Sequence, residues 1–269
     1  MREMVGPTNS FELKNNPKHN VLKLEGLKIL LRWIVSIIPE GLVWLGVPCS
    51  TWILLSRGST GRSALSPSGP PGRQSKLVID HNTIADIASY IILTAEVLNL
   101  HWVIEQPQSS LLFAYDSMKD AIAKTSAQRV AFFMVAFGGE SKKPLQLRGT
   151  GPWMGTFAKA AQGLMKTAPK RDAILTDVTI DATGRRRFQG RPTELQRSSA
   201  YTREMGKAIA MAMKGETAET IIRVIQDPLD SNQCCWCSVL WHRLPCLKRL
   251  RMHVRVWVCV CAPCACPYC

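Results

Sequence analysis

The sequence predicts an α/β fold, with an open sheet of parallel strands flanked by helices. Two short apolar runs, 42–47 and 102–105, read as buried strands because each is brief and closes on a proline-bearing turn. Between them, from about Asn82 to Asn99, apolar residues recur at helical spacing: Ile84, Ile87, Ala88, Ile91, Ala95 and Leu98. A strand–helix–strand unit needs a crossover connection, and a crossover makes the strand pair parallel. At 269 residues the chain can bury a sizeable core in one or two domains.

The remaining elements follow in order. Residues 1–20 are polar, contain Pro7 and Pro17, and read as an irregular lead-in. From Leu24 to Ile38, Leu27, Leu30, Leu31, Ile34, Ile37 and Ile38 mark an amphipathic helix, stopped by Pro39-Glu40-Gly41. After the first strand, residues 56–75 hold four Gly, three Pro, six Ser and three Arg, the composition of a flexible loop. Long loops of this kind commonly serve as lids or binding elements. Asn82 is placed to cap the crossover helix. A short helix is expected near 116–127. The apolar run Val130–Phe137, the pair Gly138-Gly139 and the run Pro144–Leu147 suggest a hairpin. Residues 149–200 look loop-rich, and Glu204–Lys214 reads as a helix. One α/β domain is therefore expected over 21–215.

From residue 231 the composition changes to a Cys-rich, low-complexity tail ending at 269, expected to be disordered. Nine of the ten cysteines follow position 233. Cys-x-x-Cys pairs occur there, but cysteine is dense enough to produce them by composition, and no metal site is assigned. Cys49 stands alone in the body of the chain, as a thiol in a reducing, intracellular compartment would. The apolar stretches are interrupted by charge at Arg32, Glu40 and Glu96, which argues against a membrane span.

Charge is unevenly distributed. The chain carries 34 Lys and Arg against 20 Asp and Glu. Residues 1–141 hold 13 basic and 11 acidic side chains, whereas 142–214 hold 15 and 5. Such a basic segment suits a phosphate-bearing partner, DNA above all.

Two residues carry candidate chemistry. Cys49 ends the first strand directly after Pro48 and before an arginine-bearing loop, in which Arg57 and Arg62 could favour the thiolate. Glu105 ends the second strand; a carboxyl at the edge of a core can keep a proton near neutral pH and donate it. Ligands in open α/β sheets gather beyond the carboxyl ends of strands, where both residues would lie. A thiol hydrolase would instead need a histidine near Cys49, and His101 begins the second strand, at the wrong end.

The motifs GVPCSTW, WVIEQP and, more weakly, AFGGESKKPLQLRG (136–149) and YTREMGKAIAMAM (201–213) resemble the cytosine-5 DNA methyltransferases, particularly short, divergent members from phages and protist genomes. The resemblance covers about 40–215. It implies a Rossmann-like sheet in which Pro48-Cys49 ends one strand and Glu105-Gln106-Pro107 the next, with Gln106 in place of the family's asparagine. It assigns Cys49 as nucleophile and Glu105 as acid. It further implies substrate contacts from Pro48, Ser50, Arg57, Pro107, Lys143 and Arg148. S-adenosylmethionine is the implied methyl donor, DNA the implied substrate, and the nucleus the implied location of a DNA-modifying enzyme. The family begins with a strand and a glycine-rich turn for the cofactor. Gly6 and Gly26 are isolated, and GTGPWMG (149–155) falls too late in the order, so no cofactor-binding residue is assigned. The chain accordingly looks like an N-terminally truncated member with an incomplete sheet, inactive if the missing strands are not supplied by a second chain. The alternative is a non-catalytic nucleic-acid-binding remnant using the basic 142–214 segment.

Overall fold

The computed structural model describes residues 8–13, 15–140, 142–168, 176–184, 186–190, 201–227 and 255–259. In chain order the strands and helices are β1 (Thr8–Phe11), α1 (Leu24–Val35), β2 (Leu42–Gly46), the single turn α2 (Arg57–Thr60), α3 (Lys76–Val97), β3 (His101–Pro107) and α4 (Asp116–Ala123). There follow β4 (Gln128–Phe133), β5 (Pro144–Gly149), α5 (Met154–Thr167), β6 (Thr176–Ile180) and β7 (Arg186–Gly190). The last are α6 (Arg203–Met213), α7 (Ala218–Gln226) and β8 (Arg255–Cys259). The chain divides into two compact units, one of Met1–Arg129, Leu147–Gly151 and Leu250–Cys269, the other of Val130–Gln146 and Pro152–Arg249.

The first unit has the expected α/β architecture, built on a mixed, open sheet. β2 and β3 pair in parallel, from Leu42 opposite His101 to Leu45 opposite Ile104. On the far side of β2 lies β8, antiparallel, and β1 pairs antiparallel with β8. The C-terminal half of β5 flanks β3: the Thr150 N–H donates to the Trp102 carbonyl at 3.0 Å. Two residues in the left-handed region align the strand starts, Glu40 (φ 65°) and Asn99 (φ 53°). The Glu40 N–H donates to the Asn99 carbonyl at 2.7 Å, and the His101 N–H to the Gly41 carbonyl at 2.8 Å.

Successive strand residues alternate between faces. Val43, Leu45, Trp102 and Ile104 join one buried cluster with Leu30 and Ile34 of α1, Ile84, Ala88, Ile91 and Ile92 of α3, and Met118 of α4. Leu42, Trp44 and Val103, on the other face, are buried as well. Strands covered on both faces read as continuous apolar runs, which is why both were legible.

α3 begins six residues earlier than expected. Ser75, not Asn82, caps it, its side chain accepting from the Val78 N–H, and Asn82 lies inside the helix. The early turns were hidden because Leu77 and Ile79 are exposed, leaving Val78 as their one buried apolar residue. Asn82 instead reaches back, its Nδ2 donating to the Ser68 carbonyl at 3.0 Å. Gln74 Nε2 donates to the same carbonyl at 2.8 Å. The loop expected to be flexible is thus tied to Gln74 and to α3 at one carbonyl, Ser68. β3 is longer than expected, and α1 and α4 are shorter, ending at Val35 and Ala123.

Arg255–Cys259 fall within the tail expected to be disordered, yet form β8. The rest of the tail lies outside the described residues. Among the described residues no helix is long and apolar enough to cross a membrane.

In the second unit, Val130–Phe133 of β4 neighbours β5, as the hairpin expectation had it. The residues before the glycine pair, Met134–Phe137, form a 3-10 turn rather than strand. Gly138 closes that turn at φ 78°. Phe137 and Phe157 stack at 5.2 Å, with Phe132 edge-on to both. α5 and α7, together with the ribbon of β6 and β7, lie where loops or nothing were expected. α5 was obscured by Gly155 and Gly163 in its interior. Gly163 leaves room for Ile222 of α7, whose Cδ1 would lie 2.3 Å from a Cβ there.

Gly149 is the tightest backbone approach in the first unit: a Cβ there would lie 2.1 Å from the Trp102 carbonyl oxygen and 2.9 Å from Val103 Cα. Both neighbours are backbone of a central strand and cannot turn away. Gly149→Ala should therefore cost about 3 kcal/mol of unfolding free energy, at the upper end of overpacking effects, measurable as a lowered urea midpoint. Gly155→Ala, where a Cβ meets nothing within 4 Å, is the neutral control.

Candidate functional site

The parallel register places Cys49 and Glu105 at the carboxyl ends of neighbouring strands. Glu105 follows Ile104, the partner of Leu45, and Cys49 lies three residues past the end of β2. Cys49 is a half-buried thiol in no disulfide, and Glu105 is buried at the exit of β3. By alternation Glu105 lies on the face of β3 opposite Trp102 and Ile104.

Pro48 ends the β2 ladder because it has no N–H to donate. The Trp52 N–H then donates to the Cys49 carbonyl at 2.9 Å, folding Cys49–Trp52 into a tight turn with Ser50 exposed at its tip. Pro107 is the last residue of β3. Arg57 opens α2 and is half-buried.

Behind the turn lies a polar cluster that sequence reading did not assemble. Thr51 Oγ1 sits 2.8 Å from His81 Nδ1 on α3. Arg62 Nη2 donates to Thr51 Oγ1 and to the Val78 carbonyl, each at 3.3 Å, and Nη1 donates to the Pro67 carbonyl. The guanidinium lies 3.5 Å from the centre of the Trp52 ring. Trp52 is edge-on to Tyr115 on its own account, with centroids 5.3 Å apart. Arg62 is only 2% exposed and makes no ion pair among the described residues. Burial pushes its pKa down to about 10, with Tyr115 opposing, so it stays charged at neutral pH. Of the two arginines expected to favour a thiolate, Arg62 is thus a structural pin, committed to the Thr51 hydroxyl, the Trp52 ring and the carbonyls of Pro67 and Val78. No local sequence signal marks this role, since partners 11 and 16 residues away complete it.

Thr51 Oγ1 can either donate to His81 Nδ1 or accept from it, according to the imidazole tautomer, and His81 Nε2 is buried with no partner among the described residues. Burial, reinforced by Arg62 and opposed by Asp80, drives the His81 pKa down to about 4.

The other candidates divide between the units. Arg148, on β5 in the first unit, lies over the Phe113 ring at 4.2 Å. Its pKa is lowered by burial and then by the neighbouring Arg129, which marks a pair of cations close enough to repel. Lys143 belongs to the second unit, where its carbonyl accepts from the Met134 N–H at 3.2 Å.

The first unit does not fit the cofactor that the resemblance implies. The connection after β1, Glu12 to Lys23, contains no glycine. Its backbone is instead turned by the Asn15 and Asn16 N–H groups donating to the Glu12 carbonyl. Phe11 at the strand end stacks on His19 at 4.3 Å and meets Trp33 edge-on, filling the space beside the turn with aromatic rings. Among the described residues no group of three or more His, Cys, Asp or Glu side chains could hold a metal ion.

No family model, curated protein or solved structure matches this chain.

His81 gives the site a pH signature. Its folded pKa of about 4 lies below the ordinary 6.5, so as pH falls the unfolded chain takes the proton first. The stabilisation is full above pH 6.5 and is lost as pH falls toward 4, by about 3 kcal/mol in total. Urea midpoints measured between pH 7 and pH 4.5 should drop steeply in the wild type. In His81→Gln, which has no such proton to take up, the slope should flatten.

Proposed function

We propose that this chain is a divergent cytosine-5 DNA methyltransferase-like protein whose retained chemistry is reversible thiol addition to a cytosine ring. One observation carries the reading: Pro48-Cys49 and Glu105-Gln106-Pro107 leave adjacent parallel strands at the same sheet edge. On this reading the sheet of the first unit is Rossmann-like, and Ser50, Arg57 and Arg148 border the bound nucleotide.

The substrate base must leave the duplex, because its ring carbons are shielded in the stack. The Cys49 thiolate attacks carbon 6, forming an S–C6 bond. The electron pair of the C5–C6 double bond shifts to make C4=C5, and that of C4=N3 is taken up at N3 by a proton from the Glu105 carboxyl. Reversal returns that proton and expels the thiolate. A soft nucleophile that can leave again and an acid at N3 are the two groups this exchange needs. Because the turn after β1 does not fit S-adenosylmethionine, the reading extends to covalent attachment and stops before methyl transfer.

The alternative, a non-catalytic DNA-binding protein, draws on the charge of 142–214 and on the paired Arg129 and Arg148. A duplex carrying 2-pyrimidinone separates the two, since this base accepts a thiol at carbon 6 without a methyl donor. Wild-type protein should form an adduct stable on a denaturing gel. Cys49→Ala should form none, and Glu105→Gln should react about a hundredfold more slowly, in the range of lost acid catalysis. DNA binding that weakens with salt, without any adduct from folded protein, would establish the binding-only alternative.

A further inference from the structure

The segment that carries Cys49 is fastened at both ends to the chain leaving β3. At its start, Gln106 Nε2 donates to the Val47 carbonyl at 2.6 Å. At its end, the Leu111 N–H donates to the Trp52 carbonyl at 2.9 Å. Cys49 lies between these two ties. Gln106 directly follows Glu105, so one strand end carries both the acid and the first tie.

Gln106 is wholly buried, and its amide can point only one way. Its Oε1 accepts from Ser110 Oγ at 2.9 Å. Ser110 Oγ in turn accepts the Leu112 N–H at 3.2 Å, capping the 3-10 turn Leu111–Ala114. Rotating the amide by half a turn would set Oε1 against the Val47 carbonyl, two acceptors 2.6 Å apart with no hydrogen between them. A buried amide satisfied at both ends is a fixed spacer rather than a loose polar group.

We infer that Gln106 is a positioning residue, which sets the Cys49 thiol against Glu105 by holding the Val47 carbonyl to the exit of β3. The role rests on the proposed pairing of Cys49 and Glu105 as nucleophile and acid. It also accounts for glutamine at this position: the side chain crosses from one strand end to the backbone of the other, and its length is used in full. The second tie is made by backbone, so side-chain substitution at 106 loosens the start of the segment alone.

The test compares full-length wild type, Gln106→Met, Gln106→Glu and a packing control, Ile91→Val. Two rates are followed: alkylation of Cys49 by iodoacetamide across pH, read by peptide mass, and adduct formation with the 2-pyrimidinone duplex. Gln106→Met keeps the length and loses both hydrogen bonds. It should alkylate about tenfold faster and form adduct about tenfold more slowly, since of the two bonds lost only the one to Val47 holds the Cys49 segment. Ile91→Val should move neither rate. In Gln106→Glu a protonated carboxyl can still donate to Val47, whereas the carboxylate cannot. Its alkylation profile should gain a transition with pH that is absent from wild type and from Gln106→Met.

Alkylation of Gln106→Met at the wild-type rate, or a Gln106→Glu profile without the added transition, would overturn the positioning role. The underlying functional reading fails separately, if wild-type protein forms no adduct while alkylation still responds to Gln106. In that case the tie holds the thiol, and the thiol does not attack cytosine.

Discussion

The first unit depends on one constraint, the parallel pairing of β2 with β3. Two parallel strands cannot be joined by a tight turn, so the chain must leave the sheet, cross it and return. α3 makes that crossing and supplies much of the core as it does so, through Ile84, Ala85, Ala88, Ile91, Ile92 and Ala95. The same pairing brings two carboxyl-terminal strand ends side by side. Everything chemical in this unit, the thiol turn and the glutamate alike, inherits its location from four paired residues on each strand.

Around that edge the structure spends an unusual group. A guanidinium withdrawn from water with no carboxylate to meet it is costly, and here its two terminal nitrogens are hydrogen-bonded locally while Nε has no partner among the described residues. Arg62 meets two carbonyls, a hydroxyl and an indole face. These partners come from the turn after Cys49, the loop beyond α2 and the first turn of α3. Arginine suits this task because its donors are spread over a rigid fork, which lysine lacks. A positive charge near a cysteine thus serves to pin Thr51 and Trp52 of the turn after it, and burial, reinforced by the same charge, favours neutral His81.

Much of the fold was legible where burial is two-sided or strictly periodic. β2, β3 and the middle of α3 were visible because their residues are nearly all buried or recur every three or four positions. The start of α3 was not, since Leu77 and Ile79 face water and break the pattern. α5 was concealed by two interior glycines, of which only Gly163 lies against a neighbouring helix. Of the site, Cys49 and Glu105 could be picked out from their places at the ends of apolar runs. Thr51, His81 and Gln106 could not be assigned partners, because each meets a residue 30 or more positions away. Periodicity reports which face of an element is buried; it carries no information about which polar atoms meet across a sheet edge.

The bond from Gln106 to Val47 joins positions 59 residues apart. Closing a loop of that length costs chain entropy before any contact at its ends is gained, and non-local pairing of this kind slows folding. The thiol therefore acquires its setting late, after α3 has formed and the strands have docked. Until then Cys49 travels on an open chain, as reactive toward oxidants as its intrinsic pKa allows and shielded by nothing. In a nascent chain, β3 and Gln106 also emerge well after Cys49 has left the ribosome. Through that interval the loop between Val47 and Gln106 is open, and the tie that spans it cannot yet hold the cysteine in place.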